Sequence, residues 1–301
     1  MSQTQKTKSS FISIVGATNA GKSTLLNAML DKKISIISHK VQTTRFNIKG
    51  IKQVDDTQLV FIDTPGDFNP RRRLDKAMIS SIWNAVSDSD IVIFLMDCTK
   101  AKREGYNDKF IQQLQKMSDK KRVLLVLNKV DLIKKEDLLE ITQRYNEYGF
   151  FDATYMISAT TSHGVQDIVD DLVEHSEESP WFYEVDQNTD INDKLFCAEI
   201  TRESVYKYLH QELPYEINVS TDVIEDKGNK VEIHQTIYAT RKSHKLIIIG
   251  NKGSNLKRIG TESRDQLRRH FRKRVDLRLF VKIKDNWQDT KEFYDDMGLE
   301  F

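Results

Sequence analysis

The stretch Gly16-Ala17-Thr18-Asn19-Ala20-Gly21-Lys22-Ser23 constrains this chain more than any other. It follows G-x-x-x-x-G-K-[ST], the pattern of a phosphate-binding loop. The apolar run Phe11-Ile12-Ser13-Ile14-Val15 before it predicts a buried strand. Thr24 to Leu30 after it carries one apolar stripe and predicts a helix. Gly16 and Gly21 let the backbone curl so that successive N–H groups, including that of Ala20, face a polyphosphate. The helix start adds its free N–H groups, Thr24 among them, and its positive dipole end. Lys22 can reach the outer phosphates, and the Ser23 hydroxyl can ligate Mg²⁺.

The 301 residues suffice for one large or two ordinary domains. Basic and acidic residues nearly cancel, at 46 against 45, but they are unevenly placed. Between Arg241 and Lys284 stand 15 Lys/Arg and 3 Asp/Glu, so that block carries +12 and the remainder −11. A neutral chain with one strongly basic block implies a local site for a polyanion. The two cysteines, Cys98 and Cys197, lie far apart, which argues for a reducing compartment and against a disulfide framework. Met1 to Ser10 is polar and lacks the apolar core of a signal peptide, and no apolar run approaches a transmembrane segment. A cytoplasmic protein is expected, with peripheral contact at the cytoplasmic face of the inner membrane left open.

The first half alternates short apolar runs with longer mixed segments. Strands are predicted at 11–15, 58–62, 91–96, 122–127 and 154–157, with another at 47–54 joined to 58–62 by a hairpin near Asp55-Asp56. Helices are predicted at 22–30, 75–87, 106–118, 135–148 and near 164–176; Ser179-Pro180 then breaks the pattern. This is the α/β order of a doubly wound, mostly parallel sheet, in which ligands bind beyond the carboxyl ends of the strands.

Polar motifs follow the apolar runs at those ends. After 58–62 comes Asp63-Thr64-Pro65-Gly66: a carboxylate that can hold Mg²⁺ through water, and a glycine N–H for the terminal phosphate. After 122–127 comes Asn128-Lys129-Val130-Asp131. Asp131 can accept from the N1–H and N2–H₂ edge of guanine, Lys129 can lay its stem along the ring, and Asn128 can tie the segment to the phosphate loop. After 154–157, the small residues Ser158-Ala159-Thr160 let N–H groups approach the base oxygen.

In this order the motifs resemble the TRAFAC-class P-loop GTPases. Val41-Gln42-Thr43-Thr44-Arg45 looks like the first switch of the Era/TrmE branch, where a threonine ligates Mg²⁺; Thr44 is favoured and Thr43 is the fallback. The resemblance implies GTP/GDP as ligand and Lys22, Thr44 and Gly66 as the residues that carry hydrolysis. Asn19 matches an asparagine that in some relatives helps hold K⁺, so K⁺ stimulation is an expectation. Asp67 stands where that branch usually has an apolar residue; it is expected to face solvent in a loop, with slow intrinsic hydrolysis. Arg71-Arg72-Arg73 admits an internal arginine finger or an exposed charge run, and the second is favoured.

In the second half, 181–193 reads as a linker lying over the first domain, so the boundary is placed after residue 180. A helix at 194–212 ends at Leu213-Pro214-Tyr215; 216–223 and 230–240 form a hairpin; 275–284 is a last strand. Between them Leu246 to Ile249 runs into Gly250-Asn251-Lys252-Gly253, followed by a basic amphipathic helix with Leu256, Ile259, Leu267 and Phe271 inward and Arg264, Arg268 and Arg272 outward. This order resembles an α+β type II KH domain, whose Gly-x-x-Gly loop clamps the backbone of four single-stranded nucleotides. Ile249, Gly250, Asn251, Lys252, Gly253, Lys257, Arg258 and Arg264 are the candidate RNA contacts, with Ile247–Ile249 as an apolar surface for bases.

A GTPase domain followed by a type II KH domain is similar to the Era family of ribosome-assembly GTPases over residues 11–287. That resemblance implies a GTP-hydrolysing switch that binds small-subunit ribosomal RNA near its 3′ end during maturation of the small ribosomal subunit. Other readings are a GTPase of the same branch acting at membranes or in tRNA modification, and an RNA-binding module with structural nucleotide. The six acids and one base after Lys284 either fold back or stay solvated.

Overall fold

Alternation of side chains builds a sheet with two buried faces. The computed structural model describes residues 6–301 apart from 39, 41, 42, 69, 71, 104, 120 and 210–215. The element order in the first half is β1 (Lys8–Val15), α1 (Lys22–Leu30), β2 (Ile48–Val54), β3 (Thr57–Asp63), α2 (Arg73–Asp88), β4 (Ile91–Asp97), α3 (Asp108–Met117), β5 (Arg122–Asn128), α4 (Lys135–Asn146), β6 (Ala153–Ile157), α5 (Val165–Glu174) and β7 (Glu177–Glu178). The strands lie in the order β2-β3-β1-β4-β5-β6, and the short β7 pairs with the start of β1. All neighbours along that path are parallel except β2 and β3. Along β4, Ile91, Ile93 and Leu95 enter one core with Leu25, Leu26 and Met29 of α1 and Ile168, Val169 and Leu172 of α5. Val92, Phe94 and Met96 enter the other, with Ile82 and Val86 of α2 and Phe110, Ile111 and Leu114 of α3. Val165, Ile168, Val169 and Leu172 fall at i, i+3, i+4 and i+7 of α5, and Leu25, Leu26 and Met29 share one face of α1, which explains their placement.

The chain divides into two compact units: residues 1–35 with 44–190, and residues 36–43 with 191–301. The expected boundary after residue 180 therefore shifts by ten residues. The reason is Gln58, whose carboxamide accepts from the N–H of Phe182 (2.9 Å) and Tyr183 (3.0 Å) and donates to the Tyr183 carbonyl (2.9 Å). Phe182 packs on Phe11, and the Thr189 hydroxyl donates to the Lys49 carbonyl. The linker thus belongs to the first unit, lying over it as expected. Ser179-Pro180 ends the regular pattern as expected: β7 closes at Glu178, and among the described residues no helix or strand follows before Asp193.

The second unit contains α6 (Asp193–Tyr208), β8 (Ile217–Asp226), β9 (Lys230–Ala239), α7 (Lys242–Ile249), α8 (Ser254–Phe271), β10 (Arg274–Ile283) and α9 (Lys291–Met297). β9 is central, antiparallel to β8 and parallel to β10. The α7–α8 pair supplies the crossover that a parallel neighbour requires. Ile237 and Ala239 of β9 pack with Ala198 and Val205 of α6 and Ile259 of α8. Leu213-Pro214-Tyr215 lies outside the described residues.

The acidic tail folds back. Trp287 is fully buried and Phe293 sets its ring edge-on to Tyr238 and Trp287. The Lys284 ammonium lies 4.3 Å from the Phe293 ring centre and 3.2 Å from Glu292. Trp287→Ala is expected to cost about 3–5 kcal/mol of stability in the second unit. Chemical denaturation followed in the presence of GDP checks this: the second unit's transition moves to lower denaturant and the first unit's stays in place.

Candidate functional site

In the first unit, the phosphate loop sits where β1 gives way to α1. Gly21 has φ of 106°, and a Cβ there would stand 2.3 Å from the Asn128 amide nitrogen. Glycine is therefore required both by the backbone and by the close approach of Asn128. Lys22 is buried, and its Nζ donates to the carbonyls of Gly16 and Ala17, each at 3.0 Å. Burial pushes its pKa down to about 8, against the opposing pull of Asp63 and Asp67.

Asp63, fully buried at the end of β3, draws several hydroxyls together. Its Oδ2 accepts from Ser23 at 2.7 Å and from Ser35 at 2.8 Å. The Thr44 hydroxyl lies 3.0 Å from that of Ser23. Burial raises the Asp63 pKa, while the Ser23 hydrogen bond and the Lys22 charge act in the other direction. Its Oδ1 is buried with no hydrogen-bond partner among the described residues. An orphaned carboxylate oxygen beside two hydroxyls is a set of hard oxygen donors, and it fits Mg²⁺. Thr43 stands apart from this group: its hydroxyl donates to the Lys40 carbonyl at 2.7 Å. Val41 and Gln42 lie outside the described residues.

Gly66 leaves no room for a side chain, since a Cβ would stand 2.5 Å from Thr18 Cα. Asp67 does not stand away in solvent as the sequence predicts. Its N–H donates to the Gly16 carbonyl at 3.1 Å, and its half-buried carboxyl has its pKa raised by burial against the pull of Lys22. The backbone of the phosphate loop captures this segment, a contact that composition does not reveal. Of the arginine run, Arg72 and Arg73 are exposed at the start of α2, where Arg72 N–H donates to Asp75; Arg71 lies outside the described residues.

Asn128 is the strut of the base side. It is buried, donates to the Ala20 carbonyl at 2.7 Å and accepts from Ala159 N–H at 3.0 Å. Ser158 N–H is likewise taken, by the His163 carbonyl at 3.1 Å. Lys129 donates to the Asn19 carbonyl (2.9 Å) and to Asp97 (2.7 Å). Burial would raise the Asp97 pKa, but hydrogen bonds from Lys129 and Thr99 hold it below the usual carboxylate range. Asp131 is exposed, on the short 3₁₀ turn that follows Lys129.

Sequence reasoning missed Ser35 and Asp97. Asp97 ends β4, so the rule that ligands gather at strand carboxyl ends could have found it. Ser35 lies in no motif, and only its bond to Asp63 reveals it.

In the second unit, Gly250 to Gly253 joins α7 to α8. Asn251 and Lys252 are exposed, and Lys252 has φ of 48°. The loop is pinned by Gly250 N–H on the Leu246 carbonyl (2.8 Å) and by the Asn255 amide on the Ile247 carbonyl (2.9 Å). Leu246 and Ile247 are 62% and 49% exposed beside it, whereas Ile248 is buried, so the apolar surface lies one residue earlier than the sequence predicts. Lys257 is exposed and Arg264 half-buried. Arg258 stacks its guanidinium 4.6 Å from the Tyr208 ring centre.

Residues 11–129 match a family described as "50S ribosome-binding GTPase", and residues 212–288 match a KH domain. The chain is 45% identical to GTPase Era of Agrobacterium fabrum over 296 residues, covering 98% of this chain and 92% of that one. It belongs to the Era family of GTPases. Era of Sinorhizobium medicae is 44% identical, over 98% of this chain and 94% of its own length. Among solved structures, Era in complex with MgGDPNP and nucleotides 1506–1542 of 16S ribosomal RNA superposes with a TM-score of 0.91 at 30% identity, over 97% of this chain and 99% of that one. Aquifex aeolicus Era bound to GDP.AlF4⁻ gives 0.90 at 31%, with the same coverage. The α/β GTPase and KH architecture read from the sequence is thus that of the Era family.

Removing the Asn128 amide leaves the Ala20 carbonyl and the Ala159 N–H unpaired, each worth about 1–3 kcal/mol. Asn128→Ala is expected to weaken GDP binding by at least about tenfold, read by titration with a fluorescent GDP analogue.

Proposed function

We propose that this chain is a GTP-hydrolysing switch that binds small-subunit ribosomal RNA near its 3′ end and acts in maturation of the small ribosomal subunit. The gathering of Ser23 and Thr44 around buried Asp63 carries the switch reading. The RNA bound in the Era structure of the same architecture supports the choice of RNA.

The N–H groups of Gly16, Asn19, Ala20, Gly21, Lys22, Ser23 and Thr24 cradle the phosphates, and the Lys22 ammonium neutralises their charge. Its present bonds to the Gly16 and Ala17 carbonyls keep a desolvated cation aimed at the loop. Ser23 and Thr44 would hold Mg²⁺, with Asp63 acting through water, and the ion would neutralise charge on the β- and γ-phosphates. Gly66 offers its N–H to the γ-phosphate. Asn128 braces the loop against Ser158-Ala159, Lys129 covers the base, and Asp131 reads guanine. Asn19 would help hold a K⁺ ion that adds positive charge near the phosphates, so turnover is expected to be faster in KCl than in NaCl.

RNA lies on Gly250-Asn251-Lys252-Gly253, with Ile249 and exposed Leu246 and Ile247 under the bases and Lys257, Arg258 and Arg264 on phosphates. The protein works in the cytoplasm. Its two thiols fit a reducing compartment: both are buried and unpaired, and burial pushes each up to about 12. Among the described residues no helix is long and apolar enough to cross a membrane.

One peptide bond, Thr43–Thr44, is a point where the chain passes between the two units. Thr44 belongs to the first unit, near Ser23, and Thr43 belongs to the second. The Thr43 carbonyl accepts from Arg202 Nη2 at 2.6 Å. Arg202 is buried on α6 and bonded to Glu199 and to the Tyr206 hydroxyl. Movement of Thr44 with the nucleotide therefore pulls on a carbonyl held by the RNA-binding unit.

Thr44→Ala is expected to slow GTP turnover by about 10²-fold, while Thr43→Ala stays within about threefold, because among the described residues the Thr43 hydroxyl serves the Lys40 carbonyl and not the Asp63 group. Steady-state phosphate release decides it. Reversal of the two effects would move the metal ligand to Thr43.

A further inference from the structure

The second unit gathers cations at a place the Gly250–Gly253 loop does not reach. A cavity of about 740 Å³ opens at the carboxyl end of α8, lined by Arg268, Arg269, Arg272, Lys273 and Arg274. Asn229, from the turn between β8 and β9, adds a neutral donor, and Asp265 is the one acid in the lining.

That charge is poorly offset. Lys273 is paired with Asp226 at 2.5 Å, and Asp265 stands 3.9 Å from Arg268, at the limit of an ion pair. Among the described residues Arg269, Arg272 and Arg274 have no carboxylate at ion-pair distance. The negative end of the α8 dipole accounts for a cation or two in the last turn, at about 0.3–1 kcal/mol each. It does not account for Arg272 to Arg274, which lie beyond the helix. Arg272 is also the residue after the helix and holds φ of 51°, a left-handed conformation that costs an L-residue roughly 1–2 kcal/mol. Helices usually place glycine or asparagine there; here an arginine takes the strained position and lines the cavity.

We propose that this cavity is a second RNA site, which grips the phosphate backbone of a strand whose other part lies on the Gly250–Gly253 loop. The proposal rests on the RNA reading of that loop. Guanidinium forks match phosphate oxygens two at a time, so several arginines around one cavity suit a phosphodiester chain. The distance sets the length of RNA. The 18 residues of α8 span about 27 Å at 1.5 Å each. At about 3.4 Å per nucleotide along a helical strand, roughly eight nucleotides separate the cavity from the loop. The loop itself takes about four. A helically stacked RNA of about twelve nucleotides engages both, whereas one of about six does not reach the cavity from the loop.

The test is binding of nested single-stranded RNAs of about 6 and about 20 nucleotides from the small-subunit rRNA 3′ end, as a function of salt. It compares the full chain with the triple variant R269A/R272A/R274A and with G250D/K252E. The triple variant is expected to bind the long RNA at least about tenfold more weakly and to lose about two units of the log–log salt slope. It should bind the short RNA normally and keep its thermal midpoint. Equal affinity of variant and parent for the long RNA would overturn the proposal, as would equal losses on both lengths. Failure of G250D/K252E to weaken the short RNA would instead overturn the loop reading. A parallel arm uses vesicles of phosphatidylglycerol and phosphatidylcholine. Salt-sensitive vesicle binding lost in the triple variant, with long-RNA binding intact, would assign the cavity to a lipid surface and contradict the RNA site.

Discussion

Burial of one carboxylate organises the nucleotide half of this protein. Asp63 ends a strand with neighbours on both sides, so its position is fixed by the sheet and its oxygens are cut off from water. A buried carboxylate must find donors or a cation. Here it takes hydroxyls from the start of α1 and from Ser35, and it leaves Oδ1 unpaired. Neither hydroxyl can move without exposing the cost of that charge. Any ligand that satisfies Oδ1 therefore stabilises the whole arrangement, including the approach of Thr44 to Ser23. The phosphate loop is braced independently by Asn128, so the loop stays formed while the Asp63 group changes partners.

In the second unit a buried cation plays the corresponding part. Arg202 is enclosed on α6, and its charge is met by Glu199, with Tyr206 and the Thr43 carbonyl taking further N–H groups. A buried donor left without a partner costs about 1–3 kcal/mol, so Arg202 gives up the Thr43 carbonyl only if something else takes its donor. Ile36, packed among Phe196, Ile200 and Val231, anchors the same segment at its other end. Ile36 and Thr43 are thus held by the second unit, although they precede most of the GTPase sheet in the chain.

Much of this was legible in the sequence, for identifiable reasons. The phosphate loop, Asp63, Gly66 and Asn128-Lys129-Val130-Asp131 follow strands that are continuous apolar runs, and such strands end where their polar residues begin. The KH order was legible because its hairpin alternates at period two and α8 at period 3.6. The failures have a common cause. Gln58, Ser35 and Arg202 act through contacts between residues far apart in the chain, and polar side chains of that kind carry no periodic signal. Gln58 drew the linker onto the first unit and moved the boundary. The Gly16 carbonyl drew in Asp67.

In the proposed switch, the Thr43–Thr44 peptide carries nucleotide state to the second unit. Reciprocal coupling of two sites is a free energy, and it must appear in either ligand's affinity. The most direct measurement is the dissociation constant of rRNA 3′-end RNA for the protein saturated with a non-hydrolysable GTP analogue, against the same protein saturated with GDP. Tighter binding in the GTP-analogue state, by about fivefold or more, is what the account predicts. Equal affinity in the two states would contradict it and leave two independent domains on one chain.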